Sequence, residues 1–265
     1  MGSTLAIARK ETRLYLTTWT SYVLFGFFIL ITAFFFQRLV IEFQLQALDY
    51  AQSQQGWAAE HMNLTDWVLG PVFSNMSVFF LIMLPMLTMR LLAEERRQKT
   101  LELLMTTPVR PVQIVLGKYL AALLIMGIML GLTVIFPILL AVFGGSGTEG
   151  ASPVDWHTVG SSYLGLFLMG AAIVAIGLLT SAATESQIVA VVTGFAVLLM
   201  FWVIGLAARG QEGFWGGFLE YLSLTTHLEN FVRGIIKLSD VVYYLSLAGV
   251  GLFLTHGVVD AQRWR

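Results

Sequence analysis

The chain has 265 residues, of which 57% are apolar and only 12% charged, with a net charge of −1. So few charges cannot cover a water-soluble domain of this size without large apolar patches, and the near-neutral balance supplies no basic field for nucleic acid. The lack of cysteine excludes disulfides, thiolate catalysis and Cys-ligated metal.

The first twenty residues are polar and amphipathic, and no small-residue cleavage pattern follows the first apolar run, so no removable signal peptide is expected. A helix crossing the hydrocarbon core needs roughly 20 mainly apolar residues at about 1.5 Å each. Six runs meet that need, at about 22–41, 71–92, 113–143, 162–181, 188–206 and 241–258. The second contains Pro85. The third is long enough to tilt or to extend beyond the bilayer, and Pro137 predicts a kink in its outer half. Gly165, Gly170 and Gly177 in the fourth are small positions where another helix can approach closely. Runs this long and continuous fit helices, because barrel strands alternate over about ten residues.

Basic residues set the expected orientation. Arg9, Lys10 and Arg13 precede the first span; Arg90, Arg96, Arg97, Lys99 and Arg110 lie between the second and third, with Lys118 just inside the third; Arg263 and Arg265 close the chain. The connections at about 42–70 and 144–161 hold no Lys or Arg. Six spans place all three basic segments on one side, so both termini are expected in the cytoplasm. The connection 207–240 carries Arg209, Arg233 and Lys237 yet falls outside, and its apolar residues recur at near-helical spacing. Short interfacial or re-entrant helices at the outer surface fit it, with an ordinary packed loop as the alternative.

The segment from Arg90 to Lys118 differs from the lipid-facing remainder. Charges of both signs, including Glu94 and Glu95, precede the apolar cluster Leu101, Leu103, Leu104 and Met105; Thr107 and Pro108 then break the helix, and Pro111 suits the first turn of the next. A solvated turn explains the arginines but not the carboxylate pair or the apolar cluster. A short amphipathic helix held between two spans offers a surface that a peripheral protein can grip.

The run Glu94-Glu95-Arg96-Arg97-Gln98-Lys99-Thr100-Leu101-Glu102-Leu103-Leu104, followed by Thr107-Pro108-Val109 and Ile114-Val115-Leu116-Gly117-Lys118, resembles the signature of type-2 ABC transporter permeases. Tyr221 to Leu224, His227, Phe231, Arg233-Gly234, Asp240 to Tyr244 and Arg263-Trp264-Arg265 resemble the gliding-motility-type branch. Ala8-Arg9-Lys10-Glu11 is similar to the family's lead-in helix.

The resemblance implies a fold and a role. The fold is an all-α integral membrane protein, one transmembrane permease domain over 1–265, with six transmembrane helices. An N-terminal amphipathic helix, a cytoplasmic coupling helix between spans two and three, and short outer-surface helices between spans five and six complete it. The chain pairs with a second permease half, homo- or heterodimeric, above two ABC ATPase subunits in a bacterial or archaeal inner membrane. Coupling falls to Glu94, Glu95, Arg96, Thr100, Leu101, Glu102 and Leu104, and lead-in contacts to Arg9, Lys10 and Arg13. The chain binds no cofactor itself; ATP and Mg belong to the ATPase. The resemblance implies export, and the branch adds a membrane-anchored partner with a large extracytoplasmic domain. The sequence departs from the commonest family pattern at Gln98-Lys99, where a Gly often precedes the Thr.

Enzymatic alternatives are weaker. Gly117-Lys118 is followed by Tyr119, not the Ser or Thr of a P-loop, so ATP hydrolysis belongs to a partner. Gly144-Gly145-Ser146-Gly147 and His256 suggest an intramembrane serine protease, but the topology puts the two side chains most of a bilayer apart, beyond hydrogen-bond reach. His61, His157, His227 and His256 are isolated in sequence and form no metal-ligand pattern. Arg38 and Lys118 are the few charges within the spans, so a highly charged substrate is disfavoured. Apolar or polymeric cargo, or purely mechanical coupling to an extracytoplasmic partner, fits better, although Thr180, Ser181 and Thr193 offer hydroxyls to a dimer axis.

Overall fold

The computed structural model describes residues 2–52, 63–100, 110–144, 154–208 and 213–261. Every regular element among them is helical. The lead-in helix α1 (Gly2–Thr17) breaks at Thr18 before α2 (Trp19–Gln52). One wide π-type turn, Thr65–Leu69, runs into α3 (Gly70–Thr88), and an irregular residue, Met89, separates α3 from α4 (Arg90–Arg97). The remaining helices are α5 (Pro111–Thr133), α6 (Ile135–Phe143), α7 (Trp156–Ala183), α8 (Gln187–Ala208), α9 (Phe214–Leu222), α10 (Leu224–Val232) and α11 (Leu238–Ala261).

Six helical stretches are long and apolar enough to cross a membrane: Trp19–Tyr50, Thr65–Arg97, Pro111–Phe143, Trp156–Ala183, Gln187–Ala207 and Leu238–Ala261. Each contains one of the six expected runs. The 34 residues of α2 rise about 51 Å, well beyond a hydrocarbon core of about 30 Å. In α5–α6 the helix divides at Val134, one turn before Pro137. The proline ring crowds the carbonyl four residues back, on Thr133. The Thr133 hydroxyl donates to the Leu130 carbonyl (2.7 Å) and lies 3.0 Å from the Tyr163 hydroxyl, which ties this point of the helix to α7.

α7 is the axis of the bundle, packed by α11, α3, α10, α8, α5 and α4. Its apolar stretch is 72% buried, whereas those of α2 and α8 are 17% and 22% buried and face outward. The glycines singled out in the fourth span mark these contacts. A Cβ at Gly165 would come within 2.6 Å of Phe231 on α10; at Gly170 it would overlap Met126, and at Gly177 it would overlap Thr88. Close approach brings dispersion contacts and weak backbone contacts that lipid alone does not replace.

The connection after α8 contains two short helices, α9 and α10, as its apolar spacing predicts. Gly213 (φ +100) precedes α9, and Gly234 (φ +78) ends α10 in a left-handed residue. The N-terminal half of α7 receives α10 through Ser161, Ser162 and Gly165. Its C-terminal residue Ser181 receives α4. About twenty helical residues, or about 30 Å of rise, separate the two, so α4 and α10 lie at opposite ends of the bundle.

Candidate functional site

Lys118 lies two turns into α5, in an otherwise apolar stretch. Its Nζ is 3.1 Å from Glu11 Oε1 on α1 and 2.8 Å from Glu95 Oε1 on α4, and its side chain is 2% exposed. Two carboxylates against one ammonium leave a charge to balance. Lys10 Nζ, 3.7 Å from the same Glu11 oxygen and mostly exposed, supplies it. Three helices from distant parts of the sequence thus share one buried ionic centre.

Other contacts explain why α1 can reach it. Gly117, beside Lys118, has no side chain, and a Cβ there would come within 3.0 Å of Thr4 O and closer still to Ile7. The pair Gly117-Lys118 therefore provides the clearance for α1 and the charge that holds it. One turn after Glu11, the Tyr15 hydroxyl donates to the Leu87 carbonyl at 2.6 Å. Burial pushes that phenol far above its ordinary range, so it stays a donor. Arg90 Nη1 donates to the Thr20 hydroxyl at 2.9 Å where α2 begins.

The junction of α3 and α4 is fastened from the other side. Pro85 interrupts the helical ladder, and Met89 falls outside regular helix. Ser181 of α7 inserts there: its hydroxyl donates to the Met89 carbonyl (2.9 Å) and accepts from the Leu92 (3.1 Å) and Ala93 (3.0 Å) amides. One hydroxyl satisfies three backbone groups freed by the bend. Arg96 continues this contact, with Nη1 donating to the Ala182 carbonyl at 2.5 Å and Nη2 3.8 Å from Glu185 in the turn between α7 and α8. A guanidinium at the carboxyl end of α7 also complements its dipole.

The residues singled out for coupling therefore separate into two groups. Glu95 and Arg96 point inward, to Lys118 and to the end of α7. Glu94 is half-buried and accepts from Gln98 at 3.2 Å; with Glu95, Lys118, Lys10, Glu11 and Thr100 it lines a cavity of ≈380 Å³. Thr100 is exposed, and its hydroxyl reaches the Glu95 carbonyl at 3.3 Å. Leu101, Glu102 and Leu104 lie outside the described residues. Arg9, Lys10 and Arg13 are exposed on α1, with Lys10 at the edge of the Lys118 centre. Glu11 and Tyr15, on the buried side, carry the contacts and were missed by a reading that followed basic residues alone.

The departure at Gln98-Lys99 has a geometric counterpart. Lys99 takes the left-handed conformation (φ 57) just past the end of α4, and its amide reaches Arg96 O at 3.1 Å. Glycine adopts that conformation without penalty, whereas other residues pay about 1–2 kcal/mol. Lys99→Gly should be neutral to stabilising by up to about 1 kcal/mol once its greater unfolded-state freedom is included. Lys99→Val should destabilise by about 1 kcal/mol or more. Thermal denaturation in detergent measures both, and equal midpoints for the two variants would refute the assignment.

Two further readings change. Ser181, a candidate path-lining hydroxyl, is fully buried at the bend. His227, isolated in sequence, is buried against Asp240 of α11. His157 is exposed at the start of α7, where its amide is held by the capping Asp155. The Thr158 hydroxyl, with the His157 and Thr158 amides, holds the Asp155 carboxyl below its ordinary range. Among the described residues no group of three or more His, Asp or Glu is arranged to hold a metal. Ser146 lies outside the described residues.

The family model described as "ABC-2 family transporter protein" matches residues 5–259. No curated protein matches the chain.

Proposed function

This chain belongs to the ABC-2 family of transporter proteins, and from that premise we propose how it couples to its ATPase. As a family member it is the permease subunit of an ABC transporter, a multi-pass membrane protein whose ATP hydrolysis resides in partner subunits. The finer reading is that α1 and α4 form one cytoplasmic lever on which two ATPase subunits act, driving export through a dimer of permeases. Both termini are then cytoplasmic, a reading that the distribution of Lys and Arg supports.

The Lys118 centre is the observation that carries this reading. A lever transmits force only if its parts move together. Glu11, Glu95 and Lys118 join α1 and α4 to the inner end of the third span, while Ser181 and Arg96 join α4 to the fourth. Glu94 and Thr100 stand on the accessible side, next to Leu101, Glu102 and Leu104 in the sequence. They are the contacts for the ATPase, with Arg9, Lys10 and Arg13 as the lead-in contribution; Glu95 and Arg96 are anchors behind them. Closure of the ATPases on ATP would displace this lever and switch the access of the central path.

Purification in mild detergent followed by mass spectrometry tests the assembly. A soluble ATPase in about equal amount is the expected companion, and recovery of the chain alone even after crosslinking overturns the reading. Glu94→Ala with Leu101→Ala should preserve folding but lose either the ATPase or its coupling. Unchanged copurification together with unchanged activity would refute the contact surface.

A mechanical role, with force passed to an extracytoplasmic partner, is the second reading. Its support is that three of the polar groups within or beside the spans are already engaged: Lys118 is ion-paired, Ser181 is used at the bend, and Thr180 donates to Gly177 O at 3.0 Å. A third copurifying protein, with no compound stimulating ATP hydrolysis, would favour it.

A further inference from the structure

At the opposite end of the bundle from the lever, α9 and α10 are closed onto the first turn of α11 by a buried polar cluster. His227 of α10 is at its centre. Its Nε2 is 2.9 Å from the Tyr221 carbonyl oxygen, which can only accept, so Nε2 carries a hydrogen. Its Nδ1 is 2.8 Å from Asp240 Oδ1, and that contact is attractive only with a hydrogen between the two atoms. The second carboxyl oxygen of Asp240 accepts from Asn230 Nδ2 at 2.8 Å. Two hydrogens are therefore required where a neutral imidazole and a carboxylate together supply one. The Tyr243 ring stacks on the imidazole at 4.0 Å and 21°, a face that favours a cation.

We infer that His227 and Asp240 form a proton-binding latch that takes up one proton from the adjoining aqueous phase and thereby holds α9 and α10 against α11. Without that proton one of the two contacts loses its hydrogen: either the Nδ1 lone pair faces the Asp240 carboxylate at 2.8 Å, or, in the tautomer that keeps Nδ1–H, the Nε2 lone pair faces the Tyr221 carbonyl at 2.9 Å. The side chains are only 9% and 4% exposed, so water does not readily intervene. The neighbouring hydroxyl bonds, Tyr243 to Leu222 O (2.8 Å) and Tyr244 to Leu224 O (2.6 Å), cross the same junction and would loosen with it.

Among the described residues no other charge accounts for the proton. Tyr221 from α9, with Asp240, Tyr243 and Tyr244 from α11, are the titratable groups facing the ring. The residues that receive α10 and its N-cap from α7, α3 and α8 are Ser161, Ser162, Gly165, Gly70 and Gly205, which carry no charge. Glu229 on α10 and Arg233 just after it are 4.0 Å apart, with side chains 45% and 73% exposed.

Hydrogen–deuterium exchange on the full chain in lipid nanodiscs tests the latch, corrected for intrinsic rates and referenced to peptides of α7. Protection over 221–240 should fall at least tenfold from pH 6 to pH 9. His227→Gln, which cannot titrate, should abolish that dependence. So should Asp240→Asn, whose amide can donate to a neutral Nδ1 and keep the junction closed at both pH values. Unchanged wild-type protection between pH 6 and 9 overturns the inference, and so does an undiminished dependence in either variant. Because the wild-type measurement decides alone, a variant that fails to fold leaves the test intact.

Discussion

Replacing Lys118 with methionine should destabilise the protein by about 3–5 kcal/mol, the cost of removing one member of a buried charge group and leaving the others uncompensated. Methionine keeps most of the volume, so the loss reports charge rather than a cavity. Glu11 and Glu95 would face each other with only Lys10, at 3.7 Å from Glu11 and largely in solvent, as counter-ion. We expect α1 to detach first, because its hold on α5 depends on this centre and on the fit at Gly117. A lowered unfolding midpoint and rapid proteolysis within residues 2–17 would record it. Neutralising the whole centre, with Lys118→Met, Glu11→Gln and Glu95→Gln together, should recover most of the stability, since a fully uncharged replacement is often neutral or better. A triple variant as unstable as the single one would show that packing, not charge, dominates there. No change in the single variant would refute the electrostatic account altogether.

The second large effect is expected at Ser181. Alanine would leave the Leu92 and Ala93 amides and the Met89 carbonyl without the partner they share. Each buried unsatisfied group costs about 1–3 kcal/mol, so about 3 kcal/mol or more is at stake after local relaxation. Ser181→Cys, with a weak sulfur acceptor, should fall between alanine and the native residue. Ser186→Ala, in the exposed turn that follows, should stay within about 0.5 kcal/mol. Comparing the unfolding midpoints of the three variants checks the order. If Ser181→Ala matches Ser186→Ala, the hydroxyl is not what sustains the bend.

The six spans were legible because hydrophobic length is a property of the chain itself: a run such as 188–206 has no other solvent than lipid. The glycines were legible too, since absence of a side chain signals close approach whatever the partner. The partners were not. Nothing near Gly177 in the sequence points to Thr88, and nothing near Ser181 points to Met89, because those pairings are set by how α7 crosses α3. The charged segment from Arg90 stood out from its apolar surroundings, but the direction of each side chain was hidden. Glu94 and Glu95 are adjacent, yet about 100° of helix rotation gives one to Gln98 at the end of its own helix and the other to Lys118. Lys118 itself gave a usable signal. A charge inside an apolar span needs a partner, and that requirement leads to acidic residues at the same membrane end, Glu11 among them. His227 failed for the opposite reason: spacing rules look for pairs within one helix, and its partner is thirteen residues away in another.

The ties of the lead-in helix also bear on the order in which the chain is made. Glu11 is 107 residues from Lys118, and Tyr15 is 72 from Leu87. Helix α1 is synthesised first but has no settled place until residue 118 has left the ribosome, by which time two spans have been delivered to the bilayer. Its seat is completed by helices made after it, so a nascent chain arrested before Lys118 should carry an undocked α1 that a protease or chaperone can reach.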